Sequence, residues 1–194
     1  MQKVNNPKIY LGNEIYLSEN IIDLVKQNKA VTLDGTKYIL FEMPLNGMQM
    51  GLLDMVYECL QNKLIPILAH PERYTVIQRN PNLTYELIEK GVLMQGNFGS
   101  VIGQYGKKAQ IVIKKLLENN MIHFLGSDVH RMKTVYLKMP QILAKLNQLI
   151  GEEKVKTLTT INPRLALANQ KIPTETPTEI KFSIIEKMIM QTKK

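Results

Sequence analysis

Leu64-Ile65-Pro66-Ile67-Leu68-Ala69-His70-Pro71-Glu72-Arg73-Tyr74 joins an apolar run to a cluster of chemically active side chains. Residues 64–69 read as a buried strand, since a short continuous apolar run suits a strand covered on both faces. Ordinary turns carry Gly, Asn, Asp and Ser. This one presents an imidazole able to bind metal and, three residues on, a guanidinium able to bind an anion. Gly126-Ser127-Asp128-Val129-His130 repeats the design, closing a second apolar strand over residues 121–127.

Working outward, strand and helix patterns alternate. Residues 8–17 read as a strand of near-alternating apolar positions. Ser18 is placed to cap a helix over residues 19–28. Residues 30–33 and 38–41 flank Asp34-Gly35, a hairpin signal. Helical spacing follows over residues 49–62, then the strand at 64–69 and a short helix over 74–79. Pro81 opens a helix that Gly91 closes. Residues 92–96 form a strand, and a Gly-punctuated start leads into a long amphipathic helix ending near Asn119. The pattern predicts helix over 134–150, kinked or divided at Pro140, and another over 152–160. Asn162-Pro163 reads as a cap followed by a first-turn proline. Alternation of this kind predicts an α/β fold with a largely parallel sheet or barrel. Residues 172–181 are linker-like, and residues 182–194 read as a frayed tail rather than a docked helix.

The 194 residues suffice for one well-buried domain. Residues 1–171 are expected to form it and 172–194 to follow as a tail. No apolar run approaches the ~18 residues of a membrane span, and the first residues have no signal-peptide core. The single cysteine excludes an internal disulfide and fits a reducing compartment, so a cytoplasmic location is expected. The net charge is +8, from 25 Lys+Arg against 17 Asp+Glu. The cations are scattered along helices without an aromatic-interleaved stripe, so they read as solvated surface and no nucleic-acid partner is expected.

Among candidate site residues, His70 stands where a parallel strand meets its loop, the edge at which α/β active sites lie. Taken alone it could be a core or capping histidine; Glu72 and Arg73 beside it favour a ligand. Asp128 and His130, two apart, would share a face of an extended strand and could chelate one ion or two adjacent ones. Glu14 lies among apolar and aromatic neighbours, where a carboxylate must be solvent-facing, paired or metal-bound. Arg73 suits phosphate oxygens, with a surface salt bridge to Glu72 as the alternative; Arg131 is a second, weaker candidate. His123 falls on the opposite face from Asp128 and reads as structural. Cys59 lies on the apolar face of its helix, and the position six residues later is Ile65 rather than arginine, so it is not read as a phosphatase nucleophile. No Gly-rich loop with Lys-Ser/Thr is present. The two strand ends are expected to build one phosphate-hydrolysing metal site.

Together these residues resemble a known family. The stretch from Pro66 to Tyr74 is similar to the signature of bacterial CpsB/CapC-like tyrosine-protein phosphatases, of the PHP (polymerase and histidinol phosphatase) superfamily. Leu11-Gly12-Asn13-Glu14-Ile15, the segment Phe124 to His130 and Asn162-Pro163-Arg164 resemble further family segments, and residues 97–106 its Gly-containing loop. The likeness covers roughly residues 8–170. It implies a PHP-like distorted (β/α) barrel binding divalent ions, often manganese. It implies metal-assisted hydrolysis of phosphotyrosine, typically on a tyrosine kinase controlling capsular or exopolysaccharide synthesis. Carried onto this chain, Glu14, His70, Asp128 and His130 are metal ligands, Glu14 a bridging one, and Arg73, with Arg131, holds the substrate phosphate.

The family's opening His-x-His strand, Asp-containing loop and further histidine have no match here, the first histidine being His70. The resemblance therefore implies an N-terminally incomplete barrel whose four ligands hold fewer ions, with activity reduced or absent. Two alternatives stay open: a non-catalytic module that binds phosphotyrosine tails or a kinase, and another PHP phosphoesterase acting on a small phosphate monoester.

Overall fold

The computed structural model describes residues 8–17, 20–47, 50–130 and 135–192. Five strands form one parallel sheet in sequence order: β1 (Glu14–Tyr16), β2 (Tyr38–Glu42), β3 (Ile65–Ala69), β4 (Leu93–Asn97) and β5 (Phe124–Gly126). Each strand lies beside its sequence neighbour, the winding of a (β/α) barrel, and the described strands form an open arc. Parallel neighbours need a crossover. Helices α1 (Ile21–Lys26), α2 (Leu52–Gln61), α3 (Thr75–Arg79) and α4 (Asn82–Glu89) lie between the first four strands. Helices α5 (Phe98–Val101) and α6 (Lys107–Glu118) link β4 to β5. After β5 come α7 (Met139–Ile150), α8 (Glu152–Lys156), α9 (Asn162–Leu167) and α10 (Ile184–Gln191). No helix among the described residues is long and apolar enough to cross a membrane.

Central strand β3 is buried because its residues are apolar on both faces. Pro66 is tolerated there because it pairs with Ile39 of β2, while β4 joins only from Ile67 onward. The missing N–H thus falls where one flank of β3 is still unpaired. The main core lies between the sheet and the helices. Phe41, Leu68, Met94, Val112, Ile113 and Leu116 are completely buried there.

Several elements differ from the sequence reading. Of residues 8–17 only Glu14–Tyr16 is strand, and Ile9 and Leu11 are exposed. Asp34-Gly35 makes a 3-10 turn over Leu33–Gly35, with both φ positive (51° and 72°), and no hairpin. The flank of β2 that a hairpin partner would occupy is taken by parallel β1, so turn chemistry is overridden by a long-range ladder. Pro140 sits in the first turn of α7, where its lost N–H has no intrahelical acceptor, so it neither kinks nor divides the helix. Asn162 is the first residue of α9, not its cap. A π-turn over Thr157–Ile161 carries α8 into α9, and the Asn162 amide donates to the His123 carbonyl at 2.8 Å. The π-turn stands just ahead of Pro163, whose ring and missing N–H disrupt regular α bonding. The Ser18 cap lies outside the described residues.

Residues 172–192 run as a strap along the domain and include the helix α10. Ile172 and Ile180 are buried, and Asn82 bonds the backbone of Ile180 through both amide atoms (Oδ1 from Ile180 N–H, 2.8 Å; Nδ2 to its carbonyl, 3.3 Å). A capping box between Ser183 and Glu186 opens α10, and Lys115 of α6 pairs with Glu186 at 3.3 Å.

Candidate metal and phosphate site

The site lies along the C-terminal edge of the sheet. His70 directly follows β3 with φ 37° and ψ 55°, the left-handed region that non-glycine residues seldom occupy. Its N–H still bonds the Gln95 carbonyl of β4 at 2.7 Å, so the ladder runs to the last residue before the turn. A 3-10 turn over Pro71–Arg73 then reverses the chain, closed by Arg73 N–H to the His70 carbonyl at 2.9 Å. This turn projects Arg73 back over the same edge as His70.

His70 is buried, and its Nε2 lies 3.2 Å from Glu14 Oε1 and 3.4 Å from Glu42 Oε2. Ligand atoms of these three residues all lie within 4.8 Å of one another, the one such group of three or more among the described residues. They come from three adjacent strands. The β1–β2 register pairs Glu14 with Leu40, two residues before Glu42, and both carboxylates reach the imidazole from one side. The His70 bond, outweighing burial, holds the Glu14 carboxyl below its ordinary range. A neutral imidazole N–H can donate to only one of two carboxylates. A cation shared by all three is a more complete solution. Two carboxylates and one imidazole suit a divalent ion that accepts oxygen and nitrogen ligands, and three protein donors leave positions open for substrate. The residues therefore fit a divalent metal. Behind the ring, Tyr74 packs at 5.4 Å between centroids, anchored where its hydroxyl accepts from Met43 N–H at 3.2 Å.

Beside this group lies a second cluster. Arg73 Nη1 donates to Asp128 Oδ2 at 2.9 Å, and its guanidinium stacks over the Tyr105 ring at 4.4 Å. Asn97, at the end of β4, donates through Nδ2 to the same Asp128 oxygen at 2.8 Å. Glu72 is completely buried beneath; its Oε1 accepts from Asn97 N–H at 3.1 Å and from the Ser100 hydroxyl at 2.5 Å. Burial pushes the Glu72 carboxyl up despite these bonds. Arg73 thus takes Asp128 as its carboxylate, and Glu72 braces the β4 end.

The five described candidates fall into two groups. Glu14 and His70 meet directly. Asp128 meets Arg73 instead, and His130, with its side chain 79% exposed, touches Asp128 through Nδ1 (3.4 Å to Oδ1). Asp128 and His130 do not share the face of an extended strand, because β5 ends at Gly126 and Asp128 is left-handed (φ 46°). Arg131 lies outside the described residues. Glu42, Asn97 and Tyr105 were not singled out by sequence reasoning. A carboxylate closing an apolar strand, as Glu42 does, was the available signal. His123 is buried and structural: Nδ1 accepts from Met94 N–H at 3.1 Å, and burial lowers its pKa to about 4. Cys59 is buried in α2 with its thiol pushed up to about 11, the opposite of an activated nucleophile.

The fold and site define a PHP-like α/β protein carrying a carboxylate–imidazole cluster at the strand ends, with an arginine beside it. Residues 1–168 match the CpsB/CapC capsular polysaccharide synthesis family, and the chain belongs to that family. It is 35% identical over 170 residues to the tyrosine-protein phosphatase YwqE of Bacillus subtilis, covering 88% of this chain and 66% of that protein. It is 29% identical to the putative tyrosine-protein phosphatase CapC of Staphylococcus aureus, covering 88% and 67%. A crystal structure from a study of YwqE and Streptococcus pneumoniae CpsB, described as metal-dependent tyrosine phosphatases, superposes with a TM-score of 0.82. Its identity is 34%, over 88% of this chain and 69% of the other. The chain thus spans about two thirds of the length of these relatives.

Proposed function

We propose that this protein is a metal-dependent protein-tyrosine phosphatase. The observation that carries the reading is the Glu14–Glu42–His70 group next to Arg73, on the sheet edge where the tyrosine-phosphatase relatives share its fold. Glu14, Glu42 and His70 would hold a divalent ion, with manganese the metal implied by the family resemblance. Asp128 and His130 would serve as further ligands if Arg73 released Asp128 to the ion. A bound ion supplies Lewis acidity toward a phosphoryl oxygen and a more acidic water.

The chain's own residues do the positioning. Arg73 uses Nη1 to hold Asp128, leaving the rest of its planar fork for phosphate oxygens. Tyr105 under the guanidinium and Asn97 on Asp128 keep that fork aimed. Cys59, buried and protonated, takes no part, so no phosphocysteine forms. The substrate we assign is a tyrosine-phosphorylated protein, the bacterial tyrosine kinase that governs capsule or exopolysaccharide synthesis, met in the cytoplasm.

The test is hydrolysis of a phosphotyrosine peptide by the full chain with manganese, alongside metal analysis. Bound metal and turnover are expected, with His70→Ala and Arg73→Ala each losing on the order of 100-fold. Turnover in both variants equal to that of the parent chain would refute the assignment. The exposure of His130 and the capture of Asp128 by Arg73 leave three gathered donors, which favours one second reading, a phosphotyrosine-binding module. Tight peptide binding without turnover at saturating manganese would select it.

A further inference from the structure

Arg73 opens into a cleft of about 1480 Å³ between α3, the start of α6 and α10. This is larger than the ~300–1,000 Å³ typical of small-molecule pockets. Arg73, Arg79, Lys107, Lys108 and Lys187 line it, and among the described residues no Asp or Glu does. Of the nearby carboxylates, Asp128 pairs with Arg73, Glu186 with Lys115 and its own cap, Glu72 with Ser100 and Asn97, and Glu14 and Glu42 face His70. Five cationic side chains thus gather along one cleft that leads away from the Arg73 guanidinium. Low-dielectric walls focus the field of such charges, and Phe182, Ile189, Met190 and Leu45 supply apolar lining.

Phe182, Ile189 and Met190 belong to α10 and the strap before it. The family match ends at residue 168, so this side of the cleft is built by residues beyond it. Lys108 Nζ bonds the Thr192 carbonyl at 2.7 Å, fastening the end of α10 to α6 across the cleft.

We propose that this cleft is a specificity surface that binds an acidic stretch of polypeptide next to the phosphotyrosine, with α10 as one of its walls. The proposal rests on the phosphotyrosine reading for the group at Arg73. Its size favours an extended chain over a small phosphate monoester. Its charge favours Asp and Glu flanks, and its apolar wall can cover the stems between them.

The experiment measures binding, so it does not depend on turnover. Peptides centred on a non-hydrolysable phosphotyrosine mimic, with acidic, neutral or basic flanks, are titrated against the full chain by fluorescence anisotropy. The acidic-flanked peptide is expected to bind about tenfold tighter than the neutral one at about 50 mM salt, and the preference to shrink at about 500 mM. Charge reversal at two exposed positions, Arg79→Glu with Lys187→Glu, should bring the ratio of acidic to neutral affinity to one or below. Circular dichroism checks that the fold persists. Equal affinities in the parent chain, or a preference unaffected by salt or by charge reversal, would overturn the proposal. So would a single-stranded oligonucleotide that outcompetes the acidic peptide. Hydrolysis of p-nitrophenyl phosphate, run in parallel, tests the phosphatase reading by itself. Turnover without flank preference removes only the cleft proposal, and flank preference without turnover removes only the enzymatic one.

Discussion

At the scale of single residues, the site depends on a histidine in a conformation its backbone would not choose. The left-handed turn at His70 lets the ladder to β4 continue through its N–H while the ring swings under Glu14 and Glu42. Such outliers persist only where the surroundings over-determine them. Glu42 stands as close to Nε2 as Glu14 within 0.2 Å, 3.4 against 3.2 Å. Glu42→Gln is therefore expected to lower bound manganese and peptide turnover as much as Glu14→Gln, measured by elemental analysis and initial rates. His123 sets an acid limit. Burial lowers its pKa from 6.5 to about 4, so between those values the unfolded chain holds a proton that the folded chain does not. Stability then rises with pH across that window and falls as pH drops from 6.5 toward 4, by about 3 kcal/mol in total. Urea unfolding of His123→Gln should lose this slope. Cys59→Ala should retain turnover, at a stability cost of about 1 kcal/mol for the small cavity.

At the scale of elements, local signals were legible wherever local energetics decide. The strand at residues 64–69 and the helices after Pro81 and before Asn119 stand close to where periodicity put them. The signals failed where a distant segment competes. Asp34-Gly35 carries hairpin chemistry, yet β1 occupies the flank of β2 that a hairpin would need. The last helix was the opposite case. Ser183 and Glu186 spell a capping box, and with Ile180 seated on Asn82 and Glu186 on Lys115 that signal becomes a docked helix. Ser183→Ala should weaken α10 by about 1 kcal/mol. Faster hydrogen exchange across residues 184–191, with α6 unchanged, would report it.

For the whole molecule, the three gathered donors sit on β1, at the end of β2 and just after β3, so a bound ion would tie these three strands together. Any ligand that binds only the folded chain raises stability by mass action. Manganese at about 100 times its dissociation constant should add about 2.7 kcal/mol. For a chain of this size that is a rise in Tm of roughly 5–10 °C. Scanning calorimetry with and without the ion checks it, and His70→Ala should abolish the shift.

By itself the sequence determined the α/β alternation, the ligand-type residues at two strand ends, the family and the inertness of Cys59. The family is legible through the resemblance of short segments, and the rest follow from periodicity and residue chemistry, which act over a few neighbouring positions. Tertiary structure alone decided that Glu42 joins Glu14 and His70, that Asp128 pairs with Arg73, and that α10 walls the cleft beside them. Each of these joins segments far apart in the chain. Which strand lies beside which, and in what register, is settled by burial and ladder formation over the whole sheet, not by any stretch that could be read alone.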